Sequence, residues 1–226
     1  MKEYDIKNIT KDTRKWSQWL LKKHYAKRMP FCVMECFGLY LKKELIGVCT
    51  FSVPITKSLN DGTGCFNTLK IQGYELSRLV IIDNHEKNLL SHFVSMCLNE
   101  MKKKRAPCFI VSYADANMNH HGYIYQSTNW IYTGTTLNKE KYFNKNGKEI
   151  HSRVYHEYLQ THLKMAKEEV VIKQQLGKYR YFYFLGSSRE TQRMKKDFKY
   201  KILPYPKGEN KNYDASYEPK TFSLFE

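Results

Sequence analysis

A chain of 226 residues with 38 Lys and Arg against 22 Asp and Glu carries a formal charge of +16, and it holds 18 tyrosines. A chain this long can bury roughly 70% of the surface its unfolded form exposes, so it needs no disulfide framework. The first fifteen residues hold no apolar core for a signal peptide, and no apolar run approaches the ~18 residues of a membrane span.

None of the six cysteines (Cys32, Cys36, Cys49, Cys65, Cys97, Cys108) forms a C-x-x-C pair. That argues against a zinc knuckle and for reduced thiols, so the expectation is a cytoplasmic protein with no membrane contact. Basic charge with interleaved aromatics points to a nucleic-acid surface.

Residues Asp12–His24 read as a helix with Trp16, Trp19 and Leu20 on one face. His24-Tyr25 and the cations Lys27 and Arg28 follow, and Pro30 ends any helix. Cys32–Leu41 and Leu45–Pro54 are β-rich runs around Lys42-Lys43-Glu44 and predict an antiparallel hairpin. Ile55–Gly73 is polar and reads as a long loop.

Tyr74–Ile82 predicts a strand and Glu86–Arg105 a helix with one apolar stripe, closed by the cations Lys102–Arg105. The apolar run Cys108–Tyr113 predicts a second strand, parallel to the first in a right-handed βαβ unit. The carboxyl ends of the two strands bring Ile82–Asn84 and Tyr113–Asp115 to one edge, the side where open α/β sheets bind ligands.

The segment Cys108–Gly134, CFIVSYADANMNHHGYIYQSTNWIYTG, concentrates the reactive side chains. Asp115 follows the strand, His120 and His121 sit in a polar stretch, and Tyr125 lies on a predicted short helix starting at Gly122. Trp130–Leu137 and Ile150–Tyr158 read as strands, with a hairpin turn at Lys145–Lys148. Gln160–Leu176 reads as a helix and Tyr179–Leu185 as an aromatic strand, with Tyr181 and Tyr183 on one face and Phe182 and Phe184 on the other. Ser187 or Ser188 caps a basic helix with Arg189, Arg193, Lys195 and Lys196.

This order of elements resembles the Gcn5-related N-acetyltransferase (GNAT) fold. The expectation is an α/β (α+β) protein: a mixed β-sheet with helices on both faces plus a basic C-terminal extension. The expected divisions are a catalytic core over 1–158, a helix-strand-helix extension over 159–207 and a flexible tail over 208–226. Four stretches resemble a narrower family: HYAKRMP, YELSRL, SYADANMNHHGYIYQSTNWIYTG and the closing KYRYFYFLGSS…KILPYPK. They are similar to the Mom-type DNA modification proteins of phage Mu and its relatives.

The resemblance implies an enzyme that converts adenine in DNA to an N6-carbamoylmethyl form and so shields phage DNA from restriction in the bacterial host. It implies Glu75 as general base and Tyr125 as the acid that protonates a departing CoA thiolate; Asp115, read from its place just past the strand end, is a further catalytic candidate. It also implies acetyl-CoA, held near Val80, Ile82, Asn88 and Ser91, and an iron ion. Candidate iron ligands are His24, Tyr25, His120 and His121, with Asp115 as a carboxylate. Spacing selects no triad among them, and the two adjacent histidines can equally bond within a turn.

The expected partner is double-stranded DNA with a flipped adenine, stacked on Trp130, Tyr113 or Tyr123. Lys27, Arg28, the Lys102–Arg105 run, Arg189 and Arg193 would contact phosphates. One departure stands out: GNAT enzymes cradle the CoA pyrophosphate on a glycine-bearing loop, and His85–Ser91 holds no glycine. An acyltransferase acting on a small amine or tRNA, and a non-catalytic nucleic-acid-binding protein, are the alternatives.

Overall fold

The computed structural model describes residues 4–24, 29–83, 85–161 and 170–208. Tyr25, Lys27, Arg28, Asn84 and residues 209–226 of the tail expected over 208–226 lie outside the described residues. The described residues form a seven-stranded and a three-stranded sheet with helices. No helix among them is long and apolar enough to cross a membrane.

The large sheet begins with an antiparallel meander. Strand β1 (Tyr4–Asn8) pairs with β2 (Val33–Leu41), β2 with β3 (Glu44–Ser52), and β3 with β4 (Gly73–Ile81). The β2–β3 hairpin is the expected one, turning through Lys42 and Lys43, both at positive φ. Strand β1 was not legible in the sequence, since an edge strand with only Tyr4 and Ile6 to pack has a weak pattern. Helix α1 (Thr13–Lys23) buries Trp16 and Leu20 against Ile9, Cys36, Tyr40 and Val48, with Trp19 at the margin. That is the face its spacing predicts.

The loop after β3 contains one short helix, α2 (Lys57–Asn60). The βαβ unit follows as expected: β4, then α3 (Leu89–Arg105), then β5 (Cys108–Ala114) parallel to β4. Helix α3 buries Leu89, Phe93, Val94, Cys97, Leu98 and Met101. Next come α4 (Tyr123–Ser127) and β6 (Ile131–Thr135), shorter than the strand expected over Trp130–Leu137.

Further elements differ from expectation, among them strand β7 (Lys139–Asn144), which falls between the two strands expected there. After β7 the Asn144 side chain accepts from the N–H groups of Asn146 and Lys148 and closes the turn, with Gly147 at φ 73°. Only Glu149–Ile150 (β8) then pairs, and Ser152–Thr161 is helix α5, not strand. The aromatics of that stretch recur at three to four residues, so they suit a helix, and Tyr155 stacks on Tyr142 at 3.8 Å. Of the helix expected over Gln160–Leu176, residues 162–169 lie outside the described residues, and Val170–Gln175 is instead strand β9, antiparallel to β7. Its Val-Val-Ile start is β-branched and suits a pleated ladder.

The aromatic strand β10 (Tyr179–Leu185) lies in the large sheet between β5 and β6. The segment expected as an extension over 159–207 thus supplies a central strand. Phe182 and Phe184 join Phe66, Phe109, Val111 and Met194 in one core cluster, the last from helix α6 (Ser188–Asp197).

Among the described residues the chain divides into two compact units. The first draws on Met1–Tyr113, Gly122–Gly134 and Arg180–Pro206, the second on Ala114–His121, Thr135–Tyr179 and Lys207–Glu226.

Within the first unit Glu35 is a buried carboxylate, 5% exposed. Arg105 donates to it at 2.6 and 3.1 Å, Asn8 at 2.6 Å and Lys104 at 3.3 Å. Burial opposes its charge, but these donors outweigh it and hold the carboxyl below its ordinary 4.5. A depressed folded-state value stabilises the fold above the carboxylate range and is lost as pH falls through it. Glu35→Gln should lower stability at neutral pH by about 1.5–3 kcal/mol, the scale of hydrogen bonds to a charged group. Urea melts of the two proteins should converge as the pH falls below the ordinary carboxylate value. A gap that stays constant as the pH falls well below that value would contradict the assignment.

Candidate functional site

Strands β4 and β5 pair over three positions only: Gly73 with Phe109, Tyr74 with Ile110 and Glu75 with Val111. β4 then runs on to Ile81 and β5 to Ala114 without a shared ladder. A buried carbonyl left without a partner is costly. The first one past the ladder, Leu76, accepts from the Ser112 hydroxyl at 2.9 Å. Beyond that point Ser77–Val80 are half-buried.

Ser112 Oγ also lies 2.8 Å from the Tyr125 hydroxyl. The one hydroxyl thus reaches both the Leu76 carbonyl and the Tyr125 phenol. Tyr125 is buried and packs against Trp130 at 5.0 Å and Tyr181 at 5.1 Å. Its helix starts at Gly122, where φ is 81° and a Cβ would run into the Tyr181 ring. Glycine there lets α4 press onto β10.

Alternation along the strands puts Leu76 and Ser112 on one face and Glu75, Val111 and Tyr113 on the other. Burial, together with the nearby Glu75 charge, pushes the Tyr113 phenol well above its ordinary range. Beside Glu75, Ser77 Oγ bonds Ser52 Oγ at 2.7 Å and Thr50 Oγ1 at 3.0 Å. The notch where the strands part therefore has a carboxylate and a phenol on one face and a serine-backed tyrosine on the other. Sequence reasoning missed Ser112. Its signal was one hydroxyl in the otherwise apolar run Cys108–Val111.

The extended stretch after α6 braces this region. Leu203 N–H donates to the Tyr132 carbonyl at 3.0 Å and the Tyr205 hydroxyl to the Trp130 carbonyl at 2.7 Å. Gln126 Nε2 donates to the Pro206 carbonyl at 3.3 Å and to the Tyr181 hydroxyl at 3.2 Å. Trp130 is fully buried here and has no open face for a stacked base. Tyr113 and Tyr123 are half-buried.

Of the residues expected to hold the donor, Val80 pairs with Val48, and the Ile82 N–H donates to Ile46. Asn88 heads α3 in the left-handed region without a side-chain cap, and Ser91 donates to its carbonyl. Lys103 pairs with Glu100, and Lys104 and Arg105 with Glu35. Arg189 and Arg193 are exposed.

Asp115 lies in the second unit and acts there as a cap. Its Oδ1 accepts from Asn117 N at 3.1 Å and Nδ2 at 3.0 Å, and its Oδ2 pairs with Lys178 at 3.1 Å. Burial opposes the charge, but Lys178 and Asn117 hold the carboxyl below its ordinary value, which makes it a weak base. The Asn117 side chain in turn bonds the Leu176 backbone, donating at 3.2 Å and accepting at 3.1 Å.

His121 packs on Tyr179 with ring centres 5.5 Å apart, and Gly208 lies so close that a Cβ there would strike the imidazole. His24 is buried at the end of α1 in the first unit, its N–H bonded to Leu20. Among the described residues no three His, Cys, Asp or Glu side chains converge to hold a metal ion. Of the donor set implied for iron, Tyr25 lies outside the described residues, and the others are not brought together among them.

Burial lowers the His120 imidazole from its ordinary 6.5, opposed by the Asp115 charge and aided by His121. An NMR titration should give His120 a midpoint below 6.5, and Asp115→Asn, which keeps the cap oxygen, should lower it further. The unfolded chain then binds the extra proton, so this group's contribution to stability rises with pH up to the ordinary histidine value. A midpoint at or above 6.5 would show a hydrated or paired imidazole instead.

The sequence model described as the Mom protein family matches residues 3–207. A sequence search of curated proteins gave no match. Among solved structures, Arabidopsis thaliana NAA60 in complex with acetyl-CoA aligns with a TM-score of 0.51 at 9% identity, over 81% of this chain and 100% of that one. The ribosomal-protein-S18-alanine N-acetyltransferase of Escherichia coli gives 0.45 at 10%, over 82% and 96%. An N-acetyltransferase from Staphylococcus aureus Mu50 gives 0.46 at 10%, over 80% and 97%. At such identities the likeness is one of fold. With the family match over nearly its whole described length and the two parallel strands that part after three pairs, the chain belongs to the Mom protein family and has the GNAT fold.

Proposed function

We propose that this protein is a GNAT-fold transferase acting on adenine N6 in double-stranded DNA, giving the N6-carbamoylmethyl base and protecting DNA from restriction in the bacterial cytoplasm. The observation that carries the reading is the Ser112–Tyr125 pair beside the parting of β4 and β5, in a chain of the Mom family.

Adenine N6 is a poor nucleophile because its lone pair is delocalised into the ring. Glu75 is the base that takes a proton from the attacking amine. Tyr125 is the acid that returns one to the departing group, and Ser112 holds its hydroxyl in place. Flipping the base out of the duplex costs a few kcal/mol, recovered in part by stacking. The half-buried Tyr113 and Tyr123 are the side chains for that stack.

Acetyl-CoA, present in the NAA60 structure, fits this chain in part. The half-buried strand Ser77–Val80 would line its pantetheine arm. The first turn of α3, headed by Asn88 without a side-chain cap, offers N–H groups to a phosphate, although Glu86 nearby opposes one. When bound, the donor supplies an activated two-carbon unit. Glu75 and Tyr125 supply proton transfer only; reaching the carbamoylmethyl product from an acetyl unit also takes a two-electron oxidant to join N6 to the methyl carbon and an amine nitrogen to replace the thiolate, both from co-substrates other than acetyl-CoA. Ordinary acyl transfer to a small amine or tRNA is the second reading, favoured by the same pair, which suffices for an amide.

Mass spectrometry of nucleosides from host DNA after expression decides between them. Deoxyadenosine heavier by a carbamoylmethyl group is the expected product. Tyr125→Phe, which keeps the packing, should lower its yield about 10²–10⁴-fold, the usual worth of a positioned acid. Unmodified DNA together with an acetylated small amine or tRNA would replace this reading by the second.

A further inference from the structure

Helix α6 is fixed at both ends and in its middle. At its start Ser187 Oγ accepts from Glu190 N at 3.3 Å and Glu190 Oε2 accepts from Ser187 N at 2.7 Å. At its end Asp197 accepts from the N–H groups of Thr68 and Leu69, both at 2.9 Å, and from the Thr68 hydroxyl at 3.0 Å. In between, Met194 is fully buried in the cluster of Phe66, Phe109, Val111 and Phe182. Both acids of the helix are thus tied to backbone at its ends.

The outer face is left cationic. Arg189, Arg193 and Lys196 repeat at helical spacing with Gln192 beside them, all exposed. Among the described residues none of these cations is in an ion pair. The other basic run, Lys102–Arg105, differs: Lys103 spends its charge on Glu100, and Lys104 and Arg105 on Glu35. At 1.5 Å per residue the stripe from Arg189 to Lys196 is about 10 Å long, and a duplex carries a charge every ~1.7 Å of axis. Tyr113, on the same strand face as Glu75, packs against the cluster that seats Met194. A duplex on α6 would approach from that face.

We infer that the outer face of α6 is a docking surface for the phosphate backbone of double-stranded DNA. Its choice of partner rests on the proposed function. A rigid cationic helix with no competing carboxylate loses little backbone freedom on binding and leaves no internal ion pair to break.

The test is fluorescence anisotropy of the full chain with a short labelled DNA duplex from ~50 to ~200 mM salt. The variant is Arg189→Ala/Arg193→Ala/Lys196→Ala, with Lys42→Asn/Lys43→Asn in the β2–β3 turn as the charge control and thermal melts to check folding. Each lost phosphate contact removes about 0.9 from the slope of log affinity against log salt, so the helix variant should lose roughly 2–3 and the control nothing. An unchanged slope in the helix variant, or an equal loss per charge in the control, overturns the inference. So does helix-dependent binding to an RNA duplex or to phosphatidylserine vesicles with none to DNA. Nucleoside mass spectrometry keeps the two readings separate. Helix-dependent duplex binding without modified adenine leaves the docking surface and removes the reaction. Full modification by a helix variant with an unchanged slope does the reverse.

Discussion

The early end of the β4–β5 ladder is the constraint on which the site depends. Two parallel strands that part after Glu75 and Val111 expose backbone that the sheet no longer satisfies. The chain meets that cost with the Ser112 hydroxyl, which bonds the first orphaned carbonyl and brings Tyr125 to the same point. One small polar side chain thus relieves a packing defect and holds a phenol. A longer ladder would satisfy the backbone and leave no notch.

The surroundings of Tyr125 are built from distant parts of the sequence. Its ring lies on Trp130 and on Tyr181 of β10, a strand added between β5 and β6 after the chain has formed a separate three-stranded sheet. The segment Leu203–Pro206 then bonds back to Tyr132, Trp130 and Gln126. Closing such long loops is entropically unfavourable, and the aromatic burial offsets it. Trp130 is part of that support, which explains its full burial and why it is no base-stacking platform.

The sequence marked Asp115 and the adjacent histidines as chemistry, and their geometry in the second unit is that of a fastened turn. A carboxylate just past a strand end can face a ligand or cap the next turn, and residue type does not distinguish the two. Here two donors from Asn117 and the Lys178 ammonium occupy it. Charge runs behave alike: Lys102–Arg105 and the α6 stripe are similar on paper, and only the positions of Glu100 and Glu35 separate them.

The sequence alone determined the local elements and their faces: the β2–β3 hairpin, the β4–α3–β5 crossover, the stripe of α1 and the two-faced aromatic strand. These follow from periodicity and turn chemistry, which act over a few residues. It did not determine α5 and β9, where β-branched and aromatic residues suit either state and pairing with β7 decides. Nor did it determine the central place of β10, although a strand apolar on both faces was a sign of it. The parting of β4 and β5, the Ser112 bond and the charge accounting around α6 are non-local. They depend on which side chains meet across the fold, and the tertiary structure alone decides that.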